Sequence, residues 1–380
     1  MGKCLVFLAS CAVFATSARA QPRWSVDAKP VIDIAGTSPS GDVVLATPVG
    51  ATRLANGTIV VGDRGASAVR FFDATGKLTR SVGQPGQGPG DFRMILWVGQ
   101  CASDSVFAWD YGLRRMSVLS AQGTLVRQFA VPSDSGTRVM SPTAVSCSRS
   151  GVFAFQAPSA PRPGSFVVIT PDSSVIRNKS AVSLGDRQGH VSTSLGEIWF
   201  GEMVMLGRGG GPRGGGFRPL GRTTSLAVSA DRVYVGTADS AFVDVYGTNG
   251  QKMAALPLGL GTRRPTRGNL DAAAEQSAGM APSAMRQSVK EQMMAVPMPE
   301  NLPSYSSLLV DSENLLWVNA SAPGDSETHL RAVQPNGSVR ADVTIPLSLT
   351  VHEIGRDYIL GSYEDKDGEP HVVMYHLRRV

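Results

Sequence analysis

The chain has 380 residues, of which 42% are hydrophobic and 18% charged, a balance that excludes disorder throughout. Its formal net charge of +5 is too weak and too dispersed to indicate a nucleic-acid partner. The 42 glycines and 24 prolines favour a fold with many tight turns, and no apolar run beyond the N-terminal segment has the length of a membrane span.

Residues 1–20 have the pattern of a secretory signal peptide. Lys3 precedes an apolar stretch, and a small-residue cleavage pattern ends at Ala20. We therefore predict cleavage after Ala20, export to the periplasm or the medium, and a single mature domain over residues 21–380. Two alternatives remain open: an uncleaved N-terminal membrane anchor, and a lipoprotein in which Cys11 carries the lipid.

The rest of the chain repeats a pattern of short strands and a turn, as in "GTIVVGDRGASAVRFFDATGKLTRSV" from residue 57. Six copies begin at Gly57, Asp104, Ser150, Asp231, Asn314 and Asp357. Three of the spacings between copies fit propeller blades of about 40–50 residues. The two longer spacings predict insertions at residues 182–222 and 261–304, since neither segment shows the strand pattern of a further blade.

Turn residues and the two chain ends extend this interpretation. A glycine stands where the chain needs positive φ between two strands in four copies, at Gly76, Gly123, Gly250 and Gly337. The sixth copy ends before a fourth strand, whereas a spare strand-like piece at residues 29–36 precedes the first copy. We predict that this piece pairs with residues 371–377 and closes the ring, so that no sheet edge is left free.

The predicted fold is all-β, a six-bladed β-propeller with terminal strand closure and a short helical insertion between blades four and five. The helix is expected over residues 282–296, where apolar side chains recur on one face, at Met285, Val289, Met293 and Val296. This face either packs against the body or forms an adaptable binding surface. The arginine- and glycine-rich residues 207–222 are interpreted as a flexible surface loop.

Three stretches carry a family resemblance: "VIDIAG", "GQPGQGPGDF" at residues 83–92, and the C-terminal "ILGSYEDKDGEPHVVMYHLRRV". Over nearly all of its mature length the chain resembles the exported bacterial six-bladed β-propeller proteins related to NHL repeats. The resemblance is specific for the fold. For function it implies binding of a partner through one propeller face, or the lactonase or lyase activity of a few propellers of this size.

One face of the predicted propeller should carry the long loops. The loops between second and third strands share this face with the connections between blades, at residues 83–92, 132–142, 182–222 and 261–304. We place the candidate binding residues there: Asp63, Arg64, Asp110, Tyr111 and Arg114. The two aspartates end equivalent second strands, where they either gather a cation or substrate or cap the following loops and pair with nearby arginines.

Cysteine and histidine usage predicts one covalent bond and no metal. Cys101 and Cys147, the cysteines that remain after signal cleavage, precede equivalent strands of neighbouring copies. An exported protein forms disulfides, so we predict a bond between them, the alternative being two buried thiols. None of the five histidines has a metal-binding spacing, and Ca²⁺ is the one cofactor left open.

The sequence thus indicates an exported, monomeric propeller scaffold that binds a protein, peptide or glycan ligand through its loop-rich face, with no catalysis. The alternative is a lactonase-like or lyase-like enzyme that holds a cation over the central channel. A third interpretation is a structural component of the cell envelope. Three or more carboxylate or amide groups converging at one channel mouth would distinguish the enzyme. Neither a nucleic-acid partner nor an integral membrane segment is predicted.

Overall fold

The computed structural model describes residues 24–37, 44–102, 105–131, 142, 144–159, 166–170, 173–206, 214–279, 281 and 283–379. The predicted signal peptide, residues 207–213 of the arginine- and glycine-rich loop, and most of the connection at 132–142 lie outside these ranges. Within the described ranges, no helix is both long enough and apolar enough to cross a membrane.

The described residues form six antiparallel sheets, numbered in chain order, and two short strands precede them, β1 (Ser25–Val26) and β2 (Ile32–Ala35). Sheet 1 contains β3 (Pro48–Arg53), β4 (Ile59–Asp63), β5 (Ala68–Phe72) and β6 (Leu78–Val82). Sheet 2 contains β7 (Ile95–Ala102), β8 (Ser105–Asp110), β9 (Arg115–Ser120) and β10 (Leu125–Ala130). Sheet 3 contains β11 (Ala144–Cys147), β12 (Phe153–Pro158), β13 (Phe166–Thr170), β14 (Ser173–Gly185), β15 (Val191–Leu206) and β16 (Gly214–Phe217).

Sheet 4 contains β17 (Ser225–Val228), β18 (Arg232–Gly236), β19 (Phe242–Gly247) and β20 (Lys252–Pro257). Sheet 5 contains β21 (Ser307–Val310), β22 (Leu316–Asn319), β23 (Thr328–Val333) and β24 (Val339–Ile345). Sheet 6 contains β25 (Thr350–Ile354), β26 (Tyr358–Glu364) and β27 (Pro370–Arg378).

The six sheets are arranged around a ring. The first strand of each sheet packs against the first strand of the next, in the order β3, β7, β11, β17, β21 and β25, and β25 packs back against β3. Apolar side chains fill the space between neighbouring sheets; Phe71 of sheet 1, for example, shares a cluster with Ile95 and Val98 of sheet 2. Equivalent clusters lie between the other neighbouring pairs, including sheets 6 and 1. The chain therefore has a propeller-type fold.

The two ends of this ring differ. At one end, which we call the short-turn face, the first strand of each sheet turns into the second. Because these strands are antiparallel, the loops between second and third strands and the connections between sheets lie at the opposite end, the loop-rich face. The long connections predicted from the sequence therefore lead to the loop-rich face.

The N-terminal strands complete sheet 6. β2 pairs antiparallel with β27, from Ile32 opposite Met374 to Ala35 opposite His371. β1 extends the same edge by pairing with the last residues of β27. The predicted pairing of the spare N-terminal piece with the C-terminal strand is thus present, and the two ends of the chain close the ring together.

The predicted turn glycines have the backbone conformation that the turns require. Gly76, Gly123, Gly250 and Gly337 have φ angles between 75° and 89°. Positive φ is a conformation that glycine adopts at low cost. Gly189 has a φ of 87° in the equivalent turn of sheet 3, between β14 and β15. This turn was missed because the sequence pattern placed the hairpin of the third copy too early.

Sheet 3 corrects the prediction for residues 182–222. β14 and β15 form one long hairpin, so most of this segment is strand and not an insertion without strands. β12 pairs with the second half of β14, so β14 is the third strand of this sheet, whereas β13 pairs with the first half of β14. The extra length of this copy is therefore a hairpin that continues beyond the other sheets, on the side of the loop-rich face.

The insertion at residues 261–304 contains helices. α1 (Arg267–Gly279), a 3-10 turn (Ser283–Met285) and α2 (Arg286–Met294) lie between β20 and β21 in the chain. Met293 and Val296 are buried with Val204 of β15 and Ala274 of α1, whereas Met285 is 54% exposed. Most of the predicted methionine face thus packs against the body, because the helices cover the hairpin extension of sheet 3.

Cys101 and Cys147 form a disulfide, with their Cα atoms 5.6 Å apart. Cys101 is fully buried one residue before the end of β7, in the apolar cluster between sheets 2 and 3, and Cys147 ends β11 beside the same cluster. The bond therefore joins the inner strands of two neighbouring sheets at the short-turn face.

Candidate functional site

The two aspartates predicted to bind a ligand at the loop-rich face are buried. Asp63 ends β4, and its carboxylate accepts the backbone N–H groups of Ala46, Thr47 and Ala66. The Nε atom of Arg70 lies 3.1 Å from the same carboxylate. Asp63 therefore fastens the loop after β4 to the segment that leads into β3.

Asp110 has the same role in sheet 2. Its carboxylate is fully buried and accepts the backbone N–H groups of Arg93, Met94 and Leu113, at 2.7 Å, 3.2 Å and 2.8 Å. Buried carboxylates need such donors, because an unpaired charge inside a protein is costly. These hydrogen bonds are those of the capping alternative, and a ligand-binding role for Asp63 and Asp110 stays a prediction.

The other three candidates remain near the surface of the loop-rich face. Arg64 and Tyr111 are half-buried, and their backbone N–H groups donate to the carbonyls of Thr47 and Met94 at 2.9 Å. Arg114 is exposed, with a positive φ of 54°. The structure gives these residues turn positions next to the two capping aspartates.

The loop at residues 83–92, which carries the family resemblance most clearly, is held in place by Arg115. The guanidinium of Arg115 donates to the carbonyl oxygens of Gln87, Gly88 and Asp91 at 3.0 Å, 2.6 Å and 2.8 Å. Three carbonyls bound by one guanidinium fix the loop against β9. The hydrogen bonds of this loop therefore have a structural role.

The channel contains a cavity of about 260 Å³ at the opposite end of the ring, toward the short-turn face. All six first strands contribute to its wall, together with the turns that follow them. Its polar lining includes Gln100, Ser146, Ser148, Arg149, Ser150, Ser229, Asp311, Ser312, Asn314, His352 and Glu353. A concave site with convergent polar groups is the usual form of a small-molecule site.

Arg149 and Glu353 face each other across the mouth of this cavity. Arg149 lies in the turn after β11 of sheet 3, and Glu353 lies in β25 of sheet 6, on the far side of the ring. A guanidinium nitrogen of Arg149 is 3.9 Å from a carboxylate oxygen of Glu353, beyond hydrogen-bonding distance, and the Arg149 side chain is 54% exposed. Among the described residues, Arg149 has no closer charged partner, so its donors face the cavity mouth.

Glu353 is anchored independently of Arg149. Its carboxylate accepts hydrogen bonds from the hydroxyls of Thr52 and Tyr358 and from the backbone N–H of Arg53 at 3.3 Å. Burial, together with the negative charge of Glu353, raises the pKa of Tyr358 well above its usual range, so the phenol remains a donor. Glu353 therefore keeps its position if Arg149 turns toward a ligand.

His352 is a half-buried titratable residue of the wall. Its Nε2 atom lies 2.8 Å from the hydroxyl oxygen of Ser362. Enclosure by protein lowers the pKa of His352 to about 4, although part of the ring borders the cavity. The imidazole is therefore neutral at neutral pH and offers the cavity a hydrogen-bonding group without charge.

The lowered pKa of His352 predicts an acid-dependent loss of stability. An unfolded histidine titrates near 6.5 and His352 near 4, so the unfolded state binds more protons between these values. Stability is complete above about pH 6.5 and falls toward pH 4, by on the order of 2 kcal/mol after allowance for the partial contact with the cavity. We expect His352→Gln to flatten this dependence in denaturant unfolding at pH 4.5–7, relative to the wild type. An equal dependence of the free energy of unfolding on pH in the wild type and in His352→Gln would contradict this prediction.

An aromatic ring forms part of the cavity wall. Trp97 of β7 lies over Gly99, so closely that a Cβ atom at residue 99 would be 2.4 Å from the ring. Glycine is therefore required for the ring to lie flat along the strand. An indole ring beside serine hydroxyls and amides gives this part of the wall both apolar and polar groups.

Sequence reasoning missed this site because its residues come from all six copies. Arg149, Glu353 and Trp97 have no common spacing in the sequence. One signal was available: Arg149 and Glu353 are charged residues at or just after the ends of first strands, which line the channel.

No family model matches the sequence, and no curated protein matches it. A candidate exported protein from Bacteroides fragilis is 12% identical, with a TM-score of 0.50 over 96% of this chain and 98% of that one. A virginiamycin B lyase from Staphylococcus aureus is 9% identical (TM-score 0.44, 94% and 100%), and a gluconolactonase from Xanthomonas campestris is 12% identical (TM-score 0.46, 88% and 87%). At this identity the first likeness shows the propeller-type fold alone, and the other two carry no argument.

Proposed function

We propose that the protein is an exported six-bladed propeller, each sheet being one blade, that binds the acidic end of a glycan in the channel cavity at the short-turn face, without catalysis. The observation that carries the proposal is the Arg149 guanidinium, which stands over a cavity lined by hydroxyls, amides and an indole ring. This places the ligand at the channel mouth opposite the one favoured by the sequence.

The size and lining of the cavity support a sugar residue as ligand. A volume of about 260 Å³ lies near the lower end of small-molecule sites and suits one sugar ring at the end of a longer glycan. Serine hydroxyls both donate and accept, as sugar hydroxyls require. Trp97 supplies the flat apolar surface on which a ring can stack.

Arg149 supports an acidic rather than a neutral sugar. A guanidinium binds a carboxylate through two parallel hydrogen bonds, a geometry that a neutral hydroxyl does not match. The 3.9 Å separation from Glu353 leaves the donors of Arg149 available, because Glu353 is held by Thr52 and Tyr358. A ligand carboxylate would therefore replace a weak ion pair with a strong one.

The cation-dependent enzyme is the second candidate at this mouth, because four carboxylate or amide side chains line the cavity: Gln100, Asp311, Asn314 and Glu353. Of these, only Asp311 and Glu353 are acidic. Asp311 accepts from the indole N–H of Trp317 and pairs with Arg379, each at 2.8 Å. Both carboxylates thus already bind protein donors, so a Ca²⁺ ion would depend on the other oxygens of the lining, and we place glycan binding first.

We expect Arg149→Gln to weaken binding of an acidic oligosaccharide by about 10- to 100-fold, the worth of a hydrogen-bonded charge pair. A glycan array that contains acidic and neutral members of the same linkage identifies the strongest acidic probe, and calorimetry measures its affinity. Arg114→Gln, an exposed arginine of the loop-rich face, is the matched control and should bind like wild type.

The reverse result, with binding lost in Arg114→Gln and kept in Arg149→Gln, would place the site on the loop-rich face and contradict the proposal. Preference for neutral over acidic glycans would also contradict it. Cleavage of the bound glycan during the measurement, followed by chromatography, would support the enzyme alternative.

A further inference from the structure

A second cluster of charged side chains lies at the closure of the ring, away from the channel cavity. Asp365 and Glu369 belong to the loop between β26 and β27, and His371 is the second residue of β27. One ligand atom from each of these three residues lies within 4.8 Å of the others. Asp33 of the N-terminal strand β2 stands on the far side of the His371 ring.

The two carboxylates each have one oxygen fixed by the backbone and one left for the cluster. Oδ1 of Asp365 accepts the N–H groups of Asp367 and Glu369 at 2.9 Å and 2.8 Å. Oε1 of Glu369 accepts the N–H of Thr37 at 2.6 Å. Both carboxylates are thereby oriented by bonds outside the cluster.

His371 is oriented in the same way. Its Nδ1 atom lies 2.7 Å from a carboxylate oxygen of Asp33, and its ring stacks on Tyr363 with centroids 4.8 Å apart. Its Nε2 atom lies 3.9 Å from Oδ2 of Asp365, so the second ring nitrogen and the carboxylate oxygen border the same small space.

We propose that Asp365, Glu369 and His371 bind one divalent transition-metal ion, with Zn²⁺ as its model, and that this ion fastens the N-terminal segment to the C-terminal hairpin. Imidazole nitrogen favours zinc and its neighbours over Ca²⁺ and Mg²⁺, which prefer oxygen ligands. The bond from Nδ1 to Asp33 is the carboxylate contact that metal-binding histidines usually make. Asp33 and Thr37, the outer partners of His371 and Glu369, both belong to the N-terminal segment, so an ordered cluster holds that segment in place.

The test uses the untagged mature protein, stripped with a chelator and titrated with Zn²⁺ alone. We expect one zinc per chain by elemental analysis and a rise of the thermal midpoint by roughly 4 °C at saturating metal. His371→Gln should weaken zinc binding at least about 100-fold and abolish the rise. Asp33 contacts the cluster through His371, so Asp33→Asn should weaken zinc binding about 10-fold.

Two further variants keep the test decisive. Glu369→Gln retains an oxygen for the Thr37 N–H, so it should fold even if His371→Gln does not, and it should bind zinc at least about 10-fold more weakly. His190→Gln removes an exposed histidine 3.1 Å from the carboxylate of Asp186 and should bind zinc like wild type. Absence of stoichiometric zinc in the wild type, equal affinity in Glu369→Gln and wild type, or zinc binding without a rise in the thermal midpoint would each overturn the proposal.

Discussion

Loss of the bond between Cys101 and Cys147 should lower the free energy of unfolding by about 4 kcal/mol. The bond spans 46 sequence positions, so it removes a large share of the conformations open to the unfolded chain. It also ties β7 to β11, where the inner strands of sheets 2 and 3 approach each other. Denaturant unfolding of the mature double variant Cys101→Ala/Cys147→Ala, measured against the oxidised wild type, gives the difference.

Reduction of the wild type measures the effect of the disulfide bond on stability separately from the effect of sulfur packing. Alanine at the buried residue 101 also leaves a small cavity, which adds to the loss. A thiol reductant keeps both sulfurs and breaks only the bond, so it should destabilise the wild type and leave the double variant unaffected. A reduced wild type that unfolds within about 1 kcal/mol of the oxidised protein would contradict the expectation.

The second large effect concerns the closure of the ring. A mature chain shortened to begin at Thr37 lacks β1 and β2 and the buried side chains of Trp24, Ile32 and Ile34. Each fully buried side chain of this kind contributes about 1.5–3 kcal/mol, so we expect a loss of about 6 kcal/mol and an exposed edge on β27. Denaturant unfolding with a chelator present measures this loss without any contribution from bound metal.

Two point variants separate closure from chain length. Ile34 is 3% exposed on the inner side of β2, whereas Val31, just before β2, is 56% exposed. Ile34→Asp places a charge in the cluster between sheets 6 and 1 and should approach the effect of the shortened chain. Val31→Asp should stay within about 0.5 kcal/mol of wild type. Equal stability of both variants would show that β2 does not complete the sheet.

The repeat and the turns were predictable from the sequence because they depend on local chemistry. Glycine adopts positive φ at low cost in the tight turns that join two strands, so Gly76, Gly123, Gly250 and Gly337 mark their hairpins without knowledge of the partners. The missing last strand and the spare first strand predict each other for the same reason: a sheet edge needs a partner.

Sheet 3 shows where this reasoning fails. Residues 173–185 and 191–206 are two continuous strands that are much longer than the strands of the other copies, so their outer halves have no counterpart in the repeat. Packing against the helices supports the outer half of this hairpin, which local pattern does not reveal. The hairpin was therefore placed on β13 and the strands after it were read as an insertion.

The candidate site was less predictable than the fold. Asp63 and Asp110 were candidates because they are polar residues at strand ends. In the structure, backbone N–H groups donate hydrogen bonds to both carboxylates. Arg149 and Glu353 lie 204 positions apart in numbering and meet only because sheets 3 and 6 face each other across the ring. Side chains that meet only because the ring closes show no regular spacing in the sequence.

The most direct measurement of the central claim is a crystal structure of the mature protein with the strongest acidic oligosaccharide from the array. The account predicts the sugar carboxylate within hydrogen-bonding distance of the Arg149 guanidinium, and its ring in the cavity beside Trp97. A sugar bound instead at the loops that follow β4 and β8 on the loop-rich face, or an unoccupied cavity at saturating oligosaccharide, would contradict it.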